Sequence, residues 1–115
     1  VAGATKRGEE PEEVARREAL EEAGLSLGRL HHVMRFLPSP GAVTEELHVY
    51  IGEVDSQVAG GHHGLADEHE DIKVHVVAFA EALAMVEDGR IVVANTVIPV
   101  LWLALHKDEI RAAWR

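Results

Sequence analysis

The stretch GATKRGEEPEEVARREALEEAGL, residues 3–25, is the part of the sequence that decides the fold. Its second half, residues 11–23, consists mainly of strong helix formers. Proline suits the first turn of a helix and glycine suits the position just past its end, and Pro11 and Gly24 occupy those two places. The stretch therefore predicts one helix that begins at Pro11 and stops at Gly24.

Three glutamates fall on one face of this helix. With Glu18 at the zero of a helical wheel, Glu22 lies at roughly 40° and Glu21 at roughly −60°. Carboxylates spaced in this way repel one another, more strongly in a cleft than in open water, so a cation is expected beside them. Mg²⁺ is the natural candidate because it prefers oxygen ligands. Arg17 can pair with Glu21 or Glu13, which in this interpretation leaves Glu18 and Glu22 free for the metal.

A solvated acidic face is the other interpretation of such a helix, and the face alone does not decide between the two. The spacing of the whole stretch does decide. Gly3, five residues, Glu9, seven residues and then REALEEAGL at residues 17–25 resemble the Nudix box, whose pattern is Gly-x5-Glu-x7-Arg-Glu-U-x-Glu-Glu-x-Gly-U with U aliphatic. Every fixed position is present, with Ala19 as a small residue at the first U position.

The sequence after the box resembles one branch of that family, the ADP-ribose pyrophosphatases. Pro40 follows Leu25 at the branch's usual spacing, residues 64–77 are similar to its catalytic loop, and Trp102 lies in a similar C-terminal helix. The resemblance implies Mg²⁺-dependent hydrolysis of ADP-ribose to AMP and ribose 5-phosphate, with Mn²⁺ as the other candidate and more than one ion per site. The alternatives are a Nudix hydrolase of another nucleoside diphosphate sugar, such as GDP-mannose, and an inactive fragment or binding module that cannot assemble the site alone.

The resemblance also implies roles for individual residues. Glu68 would be the catalytic base, Arg17 would orient the glutamates, and Glu9 would support the loop of the box. The expected metal ligands are carboxylates and one backbone carbonyl: Ala2, Glu18, Glu21, Glu22 and Glu70. The expected substrate-binding residues are Ala4, Ser39, Pro40, Gly41 and Glu45. The residues that hold the adenine are expected upstream of Val1.

The remaining sequence predicts an α/β protein. Apolar runs and alternation predict strands at residues 30–37, 46–55 and 72–79, helices at residues 81–87 and 94–114, and a long functional loop at residues 56–71. The resemblance implies the Nudix fold, an α+β sandwich with a mixed sheet between helices. Because three strands make a thin sheet, further strands are expected upstream. Residues 1–115 are then expected to be a single domain that forms the C-terminal portion of a longer protein.

Composition narrows the functional classes and the partners. Twenty acidic residues oppose eleven basic ones for a formal charge of −9, which disfavours nucleic acid and leaves a nucleoside diphosphate sugar as the expected partner. The sequence has no cysteine and no apolar run of membrane-spanning length, so a cytoplasmic protein without a membrane partner is expected. Leu101, Trp102 and Leu105 recur at helical spacing, which predicts core or dimer contacts and favours a homodimer.

Eight histidines raise the alternative of a transition-metal site. His62, His63 and His69 with Glu68 could supply nitrogen and oxygen ligands for zinc. No pair of histidines separated by three residues lies on a predicted helix, however, so ordinary surface or loop histidines are the favoured interpretation.

Overall fold

The computed structural model describes residues 8–40, 46–57, 61–63 and 72–115. In chain order the elements are α1 (Pro11–Ala23), β1 (Leu30–Phe36), β2 (Leu47–Gly52), β3 (Gly61–His63), β4 (Ile72–Val74), α2 (Phe79–Glu87) and α3 (Ala94–Ala113). The chain divides into two compact units: a first unit formed by Val1–Leu30 and Gly52–Val77, and a second unit formed by His31–Ile51 and Ala78–Arg115. The mixed α/β class predicted from the sequence is confirmed, and the single-domain organisation stays a prediction.

Local sequence explains both ends of α1. Pro11 occupies the first helical turn, where its missing N–H has no helical partner to lose. Gly24 ends the helix in the left-handed conformation, with φ at 66°. Its backbone N–H donates to the Leu20 carbonyl at 3.0 Å, and the Leu25 N–H donates to the Ala19 carbonyl at 3.2 Å. The bond from Gly24 to Leu20, together with the left-handed conformation of Gly24, is that of an αL cap, so the helix predicted from the sequence is confirmed at both ends.

In the first unit, α1 packs against the β3–β4 pair. These two strands are antiparallel, with Gly61 opposite Val74. The buried apolar residues of α1 are Val14, Ala19 and Ala23. Two of the three are alanines, so this face stabilises the unit through close approach of the helix more than through large buried side chains.

A tight contact joins two further segments of the first unit. The Gly28 N–H donates to the Glu53 carbonyl and the Glu53 N–H donates to the Arg29 carbonyl, each at 2.8 Å. The Glu53 carboxylate accepts bonds from the Arg29 backbone N–H and Nε, both at 3.2 Å, and from Nη2. The side-chain hydrogen bond from Arg29 holds the pKa of Glu53 below its usual value. A Cβ at Gly28 would lie 2.5 Å from Glu53 Oε1, so the Glu53 carboxylate would have to shift if this glycine were replaced.

The second unit contains the β1–β2 pair together with α2 and α3, which pack against each other. Its buried apolar residues include Val49 of β2 and Ile110 of α3. A run of aromatic rings extends along one side of α3: the His31 and Trp102 ring centroids are 5.0 Å apart, and the Trp102 and His106 rings stack at 4.1 Å. The predicted C-terminal helix therefore exists, ending at Ala113.

The predicted third strand, residues 72–79, is wrong over more than half of its length. β4 ends at Val74, and Val76 and Val77 are 56% and 41% exposed. Phe79 begins α2, where Lys107 Nζ of α3 lies 4.8 Å from its ring centroid. Periodicity cannot separate a strand from a helix in a short apolar run, and here a helix–helix contact decides the outcome.

Other expectations also need correction. β2 is shorter than the predicted strand at residues 46–55, and β3 lies inside the predicted loop at residues 56–71. The strands of the described residues form two two-stranded sheets instead of one. Leu101 and Leu105, predicted as core or dimer contacts, are 45% and 80% exposed, so they are not core residues. Within the described parts of the chain, no helix combines the length and the apolarity that a membrane span requires.

Candidate active site

The turn before α1 brings a loop glutamate onto the helix. Gly8 has φ at 84°, a conformation that residues with side chains rarely adopt. Glu9 then accepts two hydrogen bonds from Arg17, one from Nε to Oε2 and one from Nη2 to Oε1, both at 3.1 Å. A bidentate pair of this kind fixes the plane of the guanidinium as well as its position.

The remaining terminal nitrogen of Arg17 reaches two carboxylates of the helix. Nη1 donates to Glu18 Oε1 at 2.8 Å and to Glu21 Oε2 at 3.4 Å. One guanidinium therefore organises three carboxylates, and the four side chains carry a formal charge of −2. The Glu18 side chain is only 12% exposed, and the others lie between 21% and 30%. Partial withdrawal from water strengthens each of these interactions.

The protonation of Arg17 is secure in this setting. The side-chain hydrogen bond with Glu9 is the largest influence, and it raises the pKa of Arg17 above its usual value against the opposing effect of burial. The charges of Glu18 and Glu21 act in the same direction as Glu9. Arg17 is therefore a permanent positive charge that positions the carboxylates and takes no part in proton transfer.

Glu22 is the only buried charged side chain among the described residues, with 7% exposure. A carboxylate withdrawn from water is costly unless it is hydrogen-bonded, paired or bound to a metal. No buried side-chain nitrogen or oxygen within the described ranges lacks a hydrogen-bond partner. Glu18 and Glu22, which the Nudix resemblance assigns to a metal, are thus both well removed from solvent.

The predicted pairing of Arg17 is partly wrong. Arg17 does contact Glu21, but its shortest contact to the helix is with Glu18, which is therefore not left free. Glu13 instead accepts a bond from the backbone N–H that precedes the helix. The reason is the bidentate contact with Glu9, which aims Nη1 toward Glu18. Helical spacing alone could not find that contact because Glu9 lies outside α1, although the box pattern does single it out.

The donor chemistry of the cluster fits a hard divalent cation. Carboxylate oxygens are the ligands that Mg²⁺ and Mn²⁺ prefer. Arg17 contacts one oxygen of Glu18 and one of Glu21, and each carboxylate has a second oxygen that can coordinate an ion. In the part of the chain that the structure describes, no three His, Asp or Glu side chains are already arranged as a metal site.

Two of the predicted substrate-binding residues belong to the second unit, and the other three lie outside the described residues. Ser39 and Pro40 belong to the second unit, and Ser39 Oγ donates to the Pro40 carbonyl at 3.3 Å in an exposed bend. The other predicted site residues lie outside the described residues: Ala2, Ala4, Gly41, Glu45, Glu68 and Glu70. The alternative zinc site has the same status, because His69 and Glu68 lie there too.

The chain is similar in sequence to a known domain family and to proteins of two bacteria. The NUDIX domain matches residues 1–96. An ADP-ribose pyrophosphatase of Escherichia coli strain K12 is 50% identical over 114 residues, which are 99% of this chain and 54% of that protein. An ADP-ribose pyrophosphatase of Haemophilus influenzae is 44% identical over 115 residues, which are 100% of this chain and 53% of that protein.

A relative that is named for a different substrate is also similar. A GDP-mannose pyrophosphatase of Pectobacterium atrosepticum is 41% identical over 88 residues, which are 76% of this chain and 45% of that protein. The chain thus spans about half the length of the curated relatives it matches.

Proposed function

The chain belongs to the Nudix family, and we propose on that premise that the protein hydrolyses the diphosphate bond of ADP-ribose to give AMP and ribose 5-phosphate. The carboxylate cluster around Arg17 carries the proposal, because an acidic site binds a diphosphate through divalent cations. The relatives named ADP-ribose pyrophosphatase match essentially the whole chain, and this supports ADP-ribose as the substrate.

The proposed cofactor is Mg²⁺, with Mn²⁺ as the other ion that would serve and more than one ion in each site. Glu18, Glu21 and Glu22 would supply carboxylate ligands from α1, and the carbonyl of Ala2 and the side chain of Glu70 would complete the set. Bound divalent ions neutralise phosphate charge and lower the pKa of a coordinated water. The burial of Glu22 and the near-burial of Glu18 support this assignment, since a buried carboxylate gains most from a bound cation.

The chain's own residues then have distinct tasks. Arg17 holds Glu18 and Glu21 in place through Nη1, while Glu9 holds Arg17 through two bonds. Glu68 is the proposed base that takes a proton from the attacking water, which requires hydrogen-bond distance to that water. Rigid positioning on α1 and a base on a separate loop fit a reaction that relies on orientation and charge neutralisation.

Substrate contacts are proposed for Ser39, Pro40, Gly41, Glu45 and Ala4. The bend at Ser39 and Pro40 supports a preformed turn for part of this set. The partner is a small nucleoside diphosphate sugar, and the net charge of −9 argues against nucleic acid. A cytoplasmic homodimer is also proposed, with the exposed Leu101 and Leu105 of α3 as apolar surface for the contact and the lack of cysteine as support for the compartment.

The direct test is release of AMP from ADP-ribose by the full-length protein that carries this chain, measured with and without Mg²⁺. Mg²⁺-dependent AMP release is the expected result. A folded full-length protein that releases no AMP in the presence of Mg²⁺ or Mn²⁺ would refute the proposal.

Hydrolysis of GDP-mannose is the second candidate, because a relative with that name is 41% identical over 76% of this chain. The two substrates share the diphosphate and differ in base and sugar, so the α1 cluster serves either one. Parallel assays with both substrates separate the candidates. Preference for GDP-mannose would retain the metal-dependent chemistry and replace the substrate.

A further inference from the structure

A second group of polar side chains lies on the β1–β2 pair, within the second unit. His32 Nε2 and His48 Nδ1 are 3.1 Å apart. His48 Nε2 lies 2.9 Å from Glu46 Oε1, and the other oxygen of Glu46 forms an ion pair with Arg35 Nη1 at 3.3 Å. The proposed hydrolysis uses none of these residues.

Strand geometry places the two imidazoles on one face. Val49 is buried, and its neighbours His48 and Tyr50 lie on the opposite face of β2 because side chains alternate along a strand. His32 of β1 contacts both of them, with ring centroids 5.3 Å from His48 and 5.1 Å from Tyr50. His32 is exposed and the His48 side chain is 27% exposed, so an ion in solution can reach both rings.

Glu46 determines which nitrogen of His48 carries the proton. A carboxylate only accepts hydrogen bonds, so His48 Nε2 is the donor. In the neutral ring Nδ1 then carries a lone pair, and this lone pair is directed toward His32. A carboxylate that orients one imidazole nitrogen while the other nitrogen binds a metal is a common arrangement in metalloproteins. Arg35 in turn holds the Glu46 carboxylate.

The distance between the two nitrogens suits a shared ion. A metal at about 2.0–2.1 Å from both nitrogens, with the nitrogens 3.1 Å apart, would subtend an N–metal–N angle of roughly 100°. That value is near the roughly 109° of a tetrahedral site. His32 Nε2, which donates to His48 Nδ1, would release its proton to solvent, and Nδ1 of His32 would take one up, so that the ring stays neutral. Rotations of the rings would then direct both lone pairs to the ion.

We propose that His32 and His48 together bind one divalent transition-metal ion of the imidazole-preferring class, Zn²⁺ or Cu²⁺, on the exposed face of the β1–β2 pair. Glu46 acts as a positioning residue for His48. Water completes the coordination, since the pair supplies two ligands. This site is separate in residues and in ligand chemistry from the carboxylates of α1, and it does not depend on the proposed hydrolysis.

The test uses the full-length protein at about pH 7.5, where free imidazole is largely neutral. Mg²⁺ is kept in excess so that hard-cation sites are filled. Cu²⁺ is the probe because it binds nitrogen sites most strongly among these ions and reports its ligands in electron paramagnetic resonance spectra. The expected result is one equivalent of Cu²⁺ with two equatorial imidazole nitrogens, which Zn²⁺ displaces.

Matched variants assign the site. His32→Asn and His48→Asn should each remove that equivalent, whereas His75→Asn, which changes an exposed histidine outside the strand pair, should retain it. Glu46→Gln should weaken Cu²⁺ binding by about 10–100-fold while the two-nitrogen spectrum persists. If His48→Asn does not fold, His32→Asn gives the result alone, because its ring is exposed.

Two outcomes would overturn the proposal. One is a wild-type protein that binds no Cu²⁺ beyond what folded His32→Asn binds. The other is loss of the same equivalent in His75→Asn, which would assign the ion to a different group of histidines.

Discussion

Two clusters of charged side chains differ in the ratio of carboxylates to basic groups. One cluster surrounds Arg17, and the other surrounds the carboxylate of Glu46. In the first unit one guanidinium serves three carboxylates, and their side chains are 12–30% exposed. In the second unit a single carboxylate serves one guanidinium and one imidazole, with side chains that are 27–59% exposed. The first cluster has surplus negative charge and many oxygens, whereas the second has one oriented carboxylate and two ring nitrogens.

This difference indicates which cation each group would select. Surplus carboxylate oxygens near a buried glutamate favour a hard ion such as Mg²⁺, which keeps several waters for phosphate oxygens to replace. Two imidazole nitrogens with one tautomer fixed by a carboxylate favour a borderline transition metal. The ratio of carboxylates to basic groups in a cluster therefore matters as much for the choice of cation as their number does. Four experiments test this difference between the two clusters.

The largest effect is expected from Glu22→Gln in the full-length protein. The substitution retains the shape of a buried side chain and removes its charge, so AMP release from ADP-ribose should fall by about 10²-fold or more, equivalent to roughly 3 kcal/mol. Steady-state assays at saturating Mg²⁺ measure the change. Glu12→Gln on the exposed side of the same helix is the matched control and should keep near-normal turnover, since the Glu12 side chain is 58% exposed. Wild-type turnover in Glu22→Gln would refute the metal assignment.

The next effect separates the two clusters by ion. Mg²⁺ at about 100 times its dissociation constant should stabilise the full-length protein by about 2.7 kcal/mol, because a ligand that binds the folded state alone shifts the unfolding equilibrium. Thermal unfolding with and without Mg²⁺ measures this. Glu18→Gln should lose most of the stabilisation, whereas Glu46→Gln should retain it. Equal losses in both variants would show that the two carboxylate groups do not differ in the way proposed.

A smaller effect concerns the helix on which the first cluster depends. Gly24→Ala places a Cβ at φ 66° and should lower the free energy of unfolding by about 1–2 kcal/mol. Gly24→Asn should cost less, because asparagine tolerates the left-handed conformation better. Urea unfolding curves compare the two variants. Equal stability of wild type and Gly24→Ala would contradict the role assigned to the left-handed cap at Gly24. Cu²⁺ binding at the histidine pair should be unaffected, since strands position that pair.

The smallest effect comes from Glu53, which is paired with Arg29. The hydrogen bonds from Arg29 lower the pKa of Glu53 from its usual 4.5, so the pair contributes stability above that pH and loses it as the pH falls through the lower folded-state value. Wild type should therefore be more stable than Glu53→Gln at neutral pH, and the difference should shrink below pH 4.5. Urea unfolding at a series of pH values measures it. Glu87→Gln, at an exposed position of α2, is the control variant measured at the same pH values.

Much of the candidate site could be predicted from the sequence, because helix geometry is local. Pro11 and Gly24 set the ends of α1, and a period of 3.6 residues brings Glu18, Glu21 and Glu22 to one side of it. The box spacing also singled out Glu9. Charge, composition and the absence of cysteine narrowed the functional classes without reference to any contact.

Contacts between segments that are distant in the sequence could not be predicted from it. The bidentate bond between Glu9 and Arg17 depends on the turn at Gly8, and it redirects the guanidinium to Glu18. The beginning of α2 at Phe79 depends on packing against α3. Each of these outcomes needs two segments to meet, and a pattern along one segment carries no information on its partner.

The histidine pair shows most clearly which features follow from the sequence of one segment and which depend on the pairing of two segments. Because side chains alternate along a strand, His48 and Val49 lie on opposite faces of β2, and His31 and His32 lie on opposite faces of β1. The choice of His32 as the partner of His48 followed only when the two strands paired. Local geometry determines the face that a side chain occupies, whereas strand pairing determines its neighbour, because that neighbour belongs to another part of the chain.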